Sequence, residues 1–212
     1  MKYKVWVYGI PFSGKSYFAD TFPNAYVINT DGNFQFYDTV QGEVVANYQE
    51  FVNALSNFDP DIHDTLVIDL VDHVYDMARE NFLNNHGIEH ETDFQGDGAF
   101  GKGWTLMREG FWYMISKIRA IDANVVLISH DAEKEVKGRL GTTRTMYGPA
   151  TVPDNIVSKM TGIMHFVGRV YREDDDFKVS FGGNDNEVSG HRLPIKELII
   201  DNTYDDFIDN LE

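Results

Sequence analysis

The 212-residue sequence contains no cysteine, which excludes a disulfide scaffold, a thiolate nucleophile and a cysteine-ligated metal site. It also lacks an apolar stretch approaching the roughly 18 to 20 residues that cross a bilayer, so we expect no membrane contact. The amino-terminal apolar run is short and has no small-residue cleavage site, which favours a strand over a secretion signal. We therefore expect a cytoplasmic protein.

Basic residues are scarce, since 18 Lys and Arg stand against 34 Asp and Glu, for a formal net charge of −16. Such a surface repels polyanions, so any contact with nucleic acid must be local. Residues 136–153 are the exception, because they include no carboxylate side chain and carry Lys137, Arg139 and Arg144 among glycines. This pattern predicts a basic loop. Residues 201–212 hold five acids and no Lys or Arg, which predicts an acidic C-terminal tail.

No repeat and no linker rich in Pro, Gly or Ser divides the chain, so we expect one domain over residues 1–200. Apolar, β-rich runs predict strands at residues 3–8, 25–29, 65–69, 124–129 and 162–171. Helical patterns lie between them, after Lys15 and at residues 49–58, 70–84 and 104–122. This alternation predicts a mostly parallel α/β sheet flanked by helices. Residues 170–172 and 177–181 predict an antiparallel hairpin near the C-terminus, followed by a short strand at 198–200.

The strongest motif is G-I-P-F-S-G-K-S at residues 9–16, which fits the phosphate-loop pattern G-x-x-x-x-G-K-[ST]. It follows a predicted strand and precedes a helical pattern, as the motif requires. Backbone N–H groups of such a loop converge on phosphates, Lys15 reaches the β- and γ-phosphates, and the Ser16 hydroxyl ligates Mg²⁺. The residues predicted to bind the nucleotide are Gly9, Ile10, Pro11, Phe12, Ser13, Gly14, Lys15, Ser16 and Tyr17.

A carboxylate that supports the metal is predicted at Asp69. The sequence L-V-I-D ends a buried strand with this acid, at the carboxyl end where ligands of open α/β sheets bind. Asp69 is therefore the expected Mg²⁺-side carboxylate, acting through water. A helix N-cap role is compatible with the same position. Asp72 and His73, one turn further on, are expected in a solvated first helical turn.

Two classes of phosphate-loop protein fit the sequence less well than an ATPase. Guanine-binding proteins need a lysine in their base-reading motif, and the corresponding Ser129-His130-Asp131 has none. Small-molecule kinases usually place an arginine soon after the second strand, where this chain has N-T-D-G-N. The pattern H-G-I-E-H at residues 86–90 matches an inverted zinc-protease motif, but the surrounding Asn and Gly residues predict a loop rather than the stable helix that motif needs.

The motifs Y-G-I-P-F-S-G-K-S, F-P-N-A-Y-V-I-N-T-D-G-N, L-V-I-D, F-G-K-G-W and V-V-L-I-S-H together resemble the phage-encoded, RecA-like P-loop ATPases. These include AAA-domain and nucleotide-binding phage proteins, some of them linked to single-strand annealing and recombination. The resemblance extends over residues 3–192. It implies ATP and Mg²⁺ as cofactors, a role in phage DNA recombination or replication, single-stranded DNA as a partner, a homo-oligomer, and location in the cytoplasm of the infected host.

The resemblance also implies three catalytic roles beside that of Lys15. Asp31 corresponds to the acid after strand two that positions water, although it is one methylene shorter than the usual glutamate. His130 corresponds to a polar residue that reports on the γ-phosphate, and Arg192 to a cation that reaches a neighbouring subunit's nucleotide. The loop at residues 136–153, with Tyr147, corresponds to a DNA-contacting loop. The alternatives are a nucleotide-gated binding module with negligible turnover and a nucleoside or nucleotide kinase.

Overall fold

The structure, a computed structural model, describes residues 1–37, 41–95, 101–137, 143–150, 154–182 and 184–212. Its strands are β1 (Lys4–Gly9), β2 (Ala25–Asn29), β3 (Gln41–Val44), β4 (Thr65–Asp69), β5 (Asn124–Lys137), β6 (Thr143–Pro149), β7 (Phe166–Glu173), β8 (Asp176–Ser180), β9 (Gly190–His191) and β10 (Ile199–Asp201). Its α-helices are α1 (Lys15–Asp20), α2 (Tyr48–Asn57), α3 (Val71–His86), α4 (Lys102–Ala120), α5 (Asp154–Thr161) and α6 (Tyr204–Asp209).

The strands form a mostly parallel sheet in the order β10-β8-β7-β1-β5-β4-β2-β3. The pairs from β7 through β1, β5, β4 and β2 to β3 are all parallel. Antiparallel pairing appears where β8 joins β7 and where β10 joins β8, which confirms the expected α/β fold with a hairpin near the C-terminus. Gly9 pairs with His130, and Asp69 with Ile128. The carboxyl ends of β1 and β4 therefore lie beside His130 of β5, at the same end of the parallel strands.

Alternating side chains of β1 enter two different hydrophobic cores. Trp6 and Tyr8 pack into the core beneath α2, α3 and α4, whereas Val5 and Val7 pack into the core beneath α1 and α6. All four are fully buried. Helices therefore cover both faces of the sheet, which is why the central strands are nearly continuous apolar runs.

Several predicted bounds differ from the structure. Residues 162–165 precede β7 instead of opening it, and β5 continues eight residues beyond Ser129. That extension pairs antiparallel with β6, so the described parts of the 136–153 stretch are mostly a β-hairpin and not the expected loop. Arg139 lies outside the described residues.

Residues 201–212 are folded onto the domain rather than forming a separate tail. Asp201 ends β10, and α6 follows with Thr203 as its N-cap, whose hydroxyl accepts a hydrogen bond from the Asp206 amide. Phe207 is 1% exposed and lies in the core beside Phe18. Asp205, Asp206 and Asp209 are exposed on the outer face of α6, whose apolar side completes this core.

The predicted absence of a zinc-protease helix agrees with the geometry. Helix α3 ends at His86, and Gly87 caps it with a φ of 61°. His90 therefore lies beyond the helix. Over the described ranges, no group of three or more His, Asp or Glu side chains is placed to hold a metal ion. Within those same ranges, no helix combines the length and apolar character needed to span a membrane.

Candidate nucleotide site

The predicted phosphate loop connects β1 to α1, and Val170 and Asn202 pack closely against its two glycines. A Cβ on Gly9 would lie 2.3 Å from the Val170 carbonyl oxygen. Gly14 has a φ of 93°, and a Cβ there would lie 2.7 Å from the Asn202 amide nitrogen. Asn202 Nδ2 also donates a hydrogen bond to the Gly14 carbonyl at 2.8 Å. The glycines are needed at both positions, because a side chain would collide with the neighbouring backbone or amide.

Ser16 and Asp69 lie in direct contact, although they come from α1 and β4. The Ser16 hydroxyl donates a hydrogen bond to Asp69 Oδ2 at 3.0 Å, and the Tyr37 hydroxyl donates to the same oxygen at 2.6 Å. Burial raises the pKa of the Asp69 carboxyl, while these two hydrogen bonds and the Lys15 charge oppose the rise. Tyr37 reaches Asp69 from the segment after β2, and no motif in the sequence predicts this contact.

Lys15 lies inside the loop and is only 8% exposed. Its Nζ donates a hydrogen bond to the Ile10 carbonyl at 2.8 Å. Burial lowers the pKa of Lys15, and the negative charges of Asp69, Asp72, Asp131 and Asp31 oppose that effect. The Lys15 ammonium is thus close to several carboxylates at the carboxyl end of β1, where the phosphate loop begins.

Asp31 lines the same side of the site and already accepts three hydrogen bonds. Asn29 Nδ2 and the backbone amide of Asn33 donate to Oδ1 at 2.8 and 2.9 Å, and Asn33 Nδ2 donates to Oδ2 at 2.8 Å. Burial alone would raise the pKa of Asp31, but the Asn33 and Asn29 hydrogen bonds outweigh it and leave the pKa below its ordinary value. A carboxylate in this state is a weak proton acceptor.

His130 follows the core section of β5 and is placed by Asp72 of α3. The His130 backbone amide donates a hydrogen bond to Asp72 Oδ2 at 2.7 Å, and its Nδ1 is 3.6 Å from the same oxygen. Asp72 is fully buried, in contrast to the solvated position expected from the sequence. His73, beside it, contacts the Thr30 carbonyl oxygen through Nδ1 at 3.1 Å.

These groups surround a cavity of about 690 Å³. Its lining residues are Pro11, Phe12, Gly14, Lys15, Ser16, Tyr17, Asp31, Asn33, Asp69, Leu70, His130 and Phe177. The predicted residues Lys15, Ser16, Asp31, Asp69 and His130 therefore meet in one place. The cavity also has exposed aromatic side chains, of which Phe12 is 97% exposed and has a φ of 64°.

Arg192 is not among the residues brought together there. Its backbone amide donates to the His165 carbonyl, and its guanidinium contacts the Gly162 carbonyl. His165 pairs with Lys4, which begins β1, whereas the phosphate loop follows the other end of that strand. Arg192 thus lies near the amino-terminal end of β1, whereas the phosphate loop follows its carboxyl end. Any role of Arg192 at a nucleotide requires a neighbouring subunit.

The cations predicted to contact DNA are only partly described. Arg144 is exposed on β6. Tyr147 is half-buried, and the Arg169 guanidinium covers its ring at 3.7 Å from the centroid. Arg169 also forms an ion pair with Asp131 at 2.9 Å, at the point where β5 leaves the core. The aromatic ring expected to stack on a base is therefore partly occupied by Arg169.

Comparison with known proteins gives one family match. A family model described as an AAA domain matches residues 1–193. Among solved structures, the flagellar accessory protein FlaH from Methanocaldococcus jannaschii is similar over 84% of this chain and 76% of its own, with 8% sequence identity and a TM-score of 0.42. The curated proteins include no match to the sequence. All the residues that line the cavity lie within the matched range.

Proposed function

Because the chain belongs to the AAA domain family, we propose that it is a Mg²⁺-dependent ATPase whose triphosphate binds in the 690 Å³ cavity. The observation that carries the proposal is the 3.0 Å hydrogen bond between Ser16 and Asp69. It places a hydroxyl oxygen and a buried carboxylate oxygen side by side, and hard oxygen donors of this kind suit Mg²⁺. When bound, the metal would neutralise charge on the β- and γ-phosphates.

The remaining roles follow from the positions around the cavity. Lys15 would bind the β- and γ-phosphates once its ammonium leaves the Ile10 carbonyl. Asp31 would orient the attacking water, and His130 would contact the γ-phosphate. Turnover is expected to be slow, because the three hydrogen bonds to Asp31 compete with the water that it must hold.

The test compares nucleotide affinity and phosphate release in matched variants. Lys15→Ala should lower ATP affinity by about 10- to 100-fold, since a hydrogen bond to a charged group contributes about 1.5–3 kcal/mol. Asp31→Asn should retain ATP affinity and lose phosphate release. Lys117→Ala, which changes a lysine on the exposed side of α4, is the control and should alter neither quantity. Equal loss of affinity in Lys15→Ala and Asp31→Asn would contradict the assigned roles.

The second candidate is a module that binds ATP as a switch and barely hydrolyses it. The three hydrogen bonds to Asp31 and its lowered pKa favour it, because such a group is poorly suited to accept a proton from water. Tight Mg²⁺-dependent ATP binding without phosphate release, with or without single-stranded DNA, would support the module. Appearance of a phosphorylated nucleoside in the same reactions would instead identify a kinase.

We further propose that the ATPase acts on single-stranded DNA in phage recombination or replication, in the cytoplasm of the infected host. The support is the sequence resemblance together with the basic stretch that contains the exposed Arg144. A loop with so few cations should bind DNA weakly and with a strong dependence on salt. An oligomer that repeats the loop would therefore bind DNA better than a monomer. The test is binding of a fluorescent oligonucleotide across a salt series. Arg144→Ala should weaken binding and reduce the salt slope by about 1, while Lys117→Ala should not.

A further inference from the structure

Asp72 is a fully buried carboxylate that the proposed mechanism has not used. It lies in the first turn of α3 with a fully buried side chain, directly behind the cavity. Its Oδ2 accepts the His130 amide at 2.7 Å, while its Oδ1 has no hydrogen-bond partner within the described parts of the chain. A buried carboxylate with an unpaired oxygen is costly, so it calls for an explanation beyond packing.

The two contacts from Asp72 converge on one residue. The backbone hydrogen bond holds β5 at His130, and the same oxygen faces the ring at 3.6 Å from Nδ1. A carboxylate in that position attracts an Nδ1–H and leaves Nε2 on the far side of the ring. Since His130 lines the cavity, a nucleotide bound there would meet the Nε2 side of the ring.

Other ionisable groups lie near Asp72 and His130. Lys15 experiences the negative charge of Asp72 as well as those of Asp31, Asp69 and Asp131. The charge of Asp131 is itself paired with Arg169 at 2.9 Å. On α3, His73 packs near His130 with ring centroids 6.4 Å apart. Asp72 is the carboxylate whose described contacts reach His130 through both its backbone and its ring.

We propose that Asp72 is a positioning residue that orients the His130 ring, which in its imidazolium form donates an Nε2–H hydrogen bond to the γ-phosphate while its Nδ1–H faces Asp72. The inference rests on the proposed nucleotide site and adds to it the means by which ATP is distinguished from ADP. A triphosphate presents the acceptor that His130 contacts, whereas a diphosphate does not. Asp72 therefore contributes to ATP preference without touching the nucleotide.

The experiment measures ATP and ADP dissociation constants in the presence of Mg²⁺ for the wild-type chain, Asp72→Asn, His130→Gln and the double variant. Asn keeps the size of Asp and an oxygen that can accept the His130 amide. We expect Asp72→Asn to weaken ATP binding by about tenfold and to leave ADP binding nearly unchanged, as is typical of one charge-assisted hydrogen bond. In the His130→Gln background, the Asp72→Asn change should have no further effect, because the two residues act as one unit.

Asp76→Asn is the matched control, since Asp76 is an exposed carboxylate one turn further along α3. It should leave the ATP-to-ADP preference unchanged. Thermal unfolding of each variant shows whether Asp72→Asn folds, and His130→Gln alone should reproduce the loss of preference. Equal weakening of ATP and ADP, additive effects in the double variant, or retained preference in His130→Gln would overturn the proposal. Absence of ATP binding to the wild-type chain would instead refute the nucleotide site itself.

Discussion

Replacing Phe207 by alanine tests whether residues 201–212 are an integral part of the domain. The ring is 1% exposed and lies edge-on to Phe166 at 4.9 Å and to Tyr3 at 5.6 Å between centroids. It also contacts Phe18 and Phe181 at 6.4 and 5.8 Å. Phe207 thus joins α6 to α1, β7, the residue that precedes β1 and the segment after β8. A solvated acidic tail would have no such contacts.

The structure implies a large effect of this substitution on the free energy of unfolding. Truncating a fully buried phenylalanine costs about 3–5 kcal/mol, which includes the cavity left behind. For a chain of this length each kcal/mol corresponds to about 2–4 °C, so the melting temperature should fall by about 6 to 20 °C.

The assay is urea and thermal unfolding followed by circular dichroism, with Asp205→Ala as the control. Asp205 is exposed in the first turn of the same helix, and its loss should cost less than about 1 kcal/mol. If Phe207→Ala and Asp205→Ala unfolded at the same temperature as the wild-type chain, α6 would not be packed on the sheet, and the reasoning from its aromatic contacts would be refuted.

Three further substitutions test the site and its surroundings. Tyr37→Phe should lower the free energy of unfolding by about 1–3 kcal/mol in urea titrations, because buried Asp69 loses a donor, whereas Tyr17→Phe at an exposed position should not. Arg192→Ala should leave ATP affinity unchanged when calorimetry is done at low protein concentration. A loss of affinity in that experiment would contradict the position of Arg192 near the amino-terminal end of β1. Burial lowers the pKa of Lys4 to about 8, with the Asp122 charge opposing this effect, so the unfolded chain binds the extra proton between about pH 8 and 10.5. Stability from this group should therefore rise with pH in that window, and the rise should be absent in Lys4→Met when urea midpoints are compared at pH 7.5 and 9.5.

The central strands could be predicted because burial on both faces requires a nearly continuous run of apolar residues in the sequence. The expected bounds of β2 and β4 agree with the structure, and helix α2 differs by one residue at each end. Elements at the margins leave a weaker trace. Strand β3 reads Q-G-E-V and lies at the sheet edge, and α6 is acidic on its outer side, so neither shows a long apolar run.

The contact between the 9–16 loop and Asp69 was predictable for a different reason, since both fit sequence motifs in which residue type and spacing are restricted. Asp72 was expected in solvent because it falls in the first turn of a predicted helix, yet it is buried and contacts His130 of β5, 58 residues away. Tyr37 reaches Asp69 across 32 residues. Contacts of this range depend on sheet order, and no local pattern encodes that order.

The order of the strands explains why Asp69 and Asp72 serve different partners. Strand β5 lies between β1 and β4, so the acid at the end of β4 reaches across to Ser16 on α1, while the residue one turn later on α3 faces the end of β5. Had β4 been adjacent to β1, no strand end would separate the phosphate loop from Asp69, and His130 would have no place at the cavity. The inserted strand therefore brings a second group to the cavity, and Asp72 is the residue that holds its backbone amide.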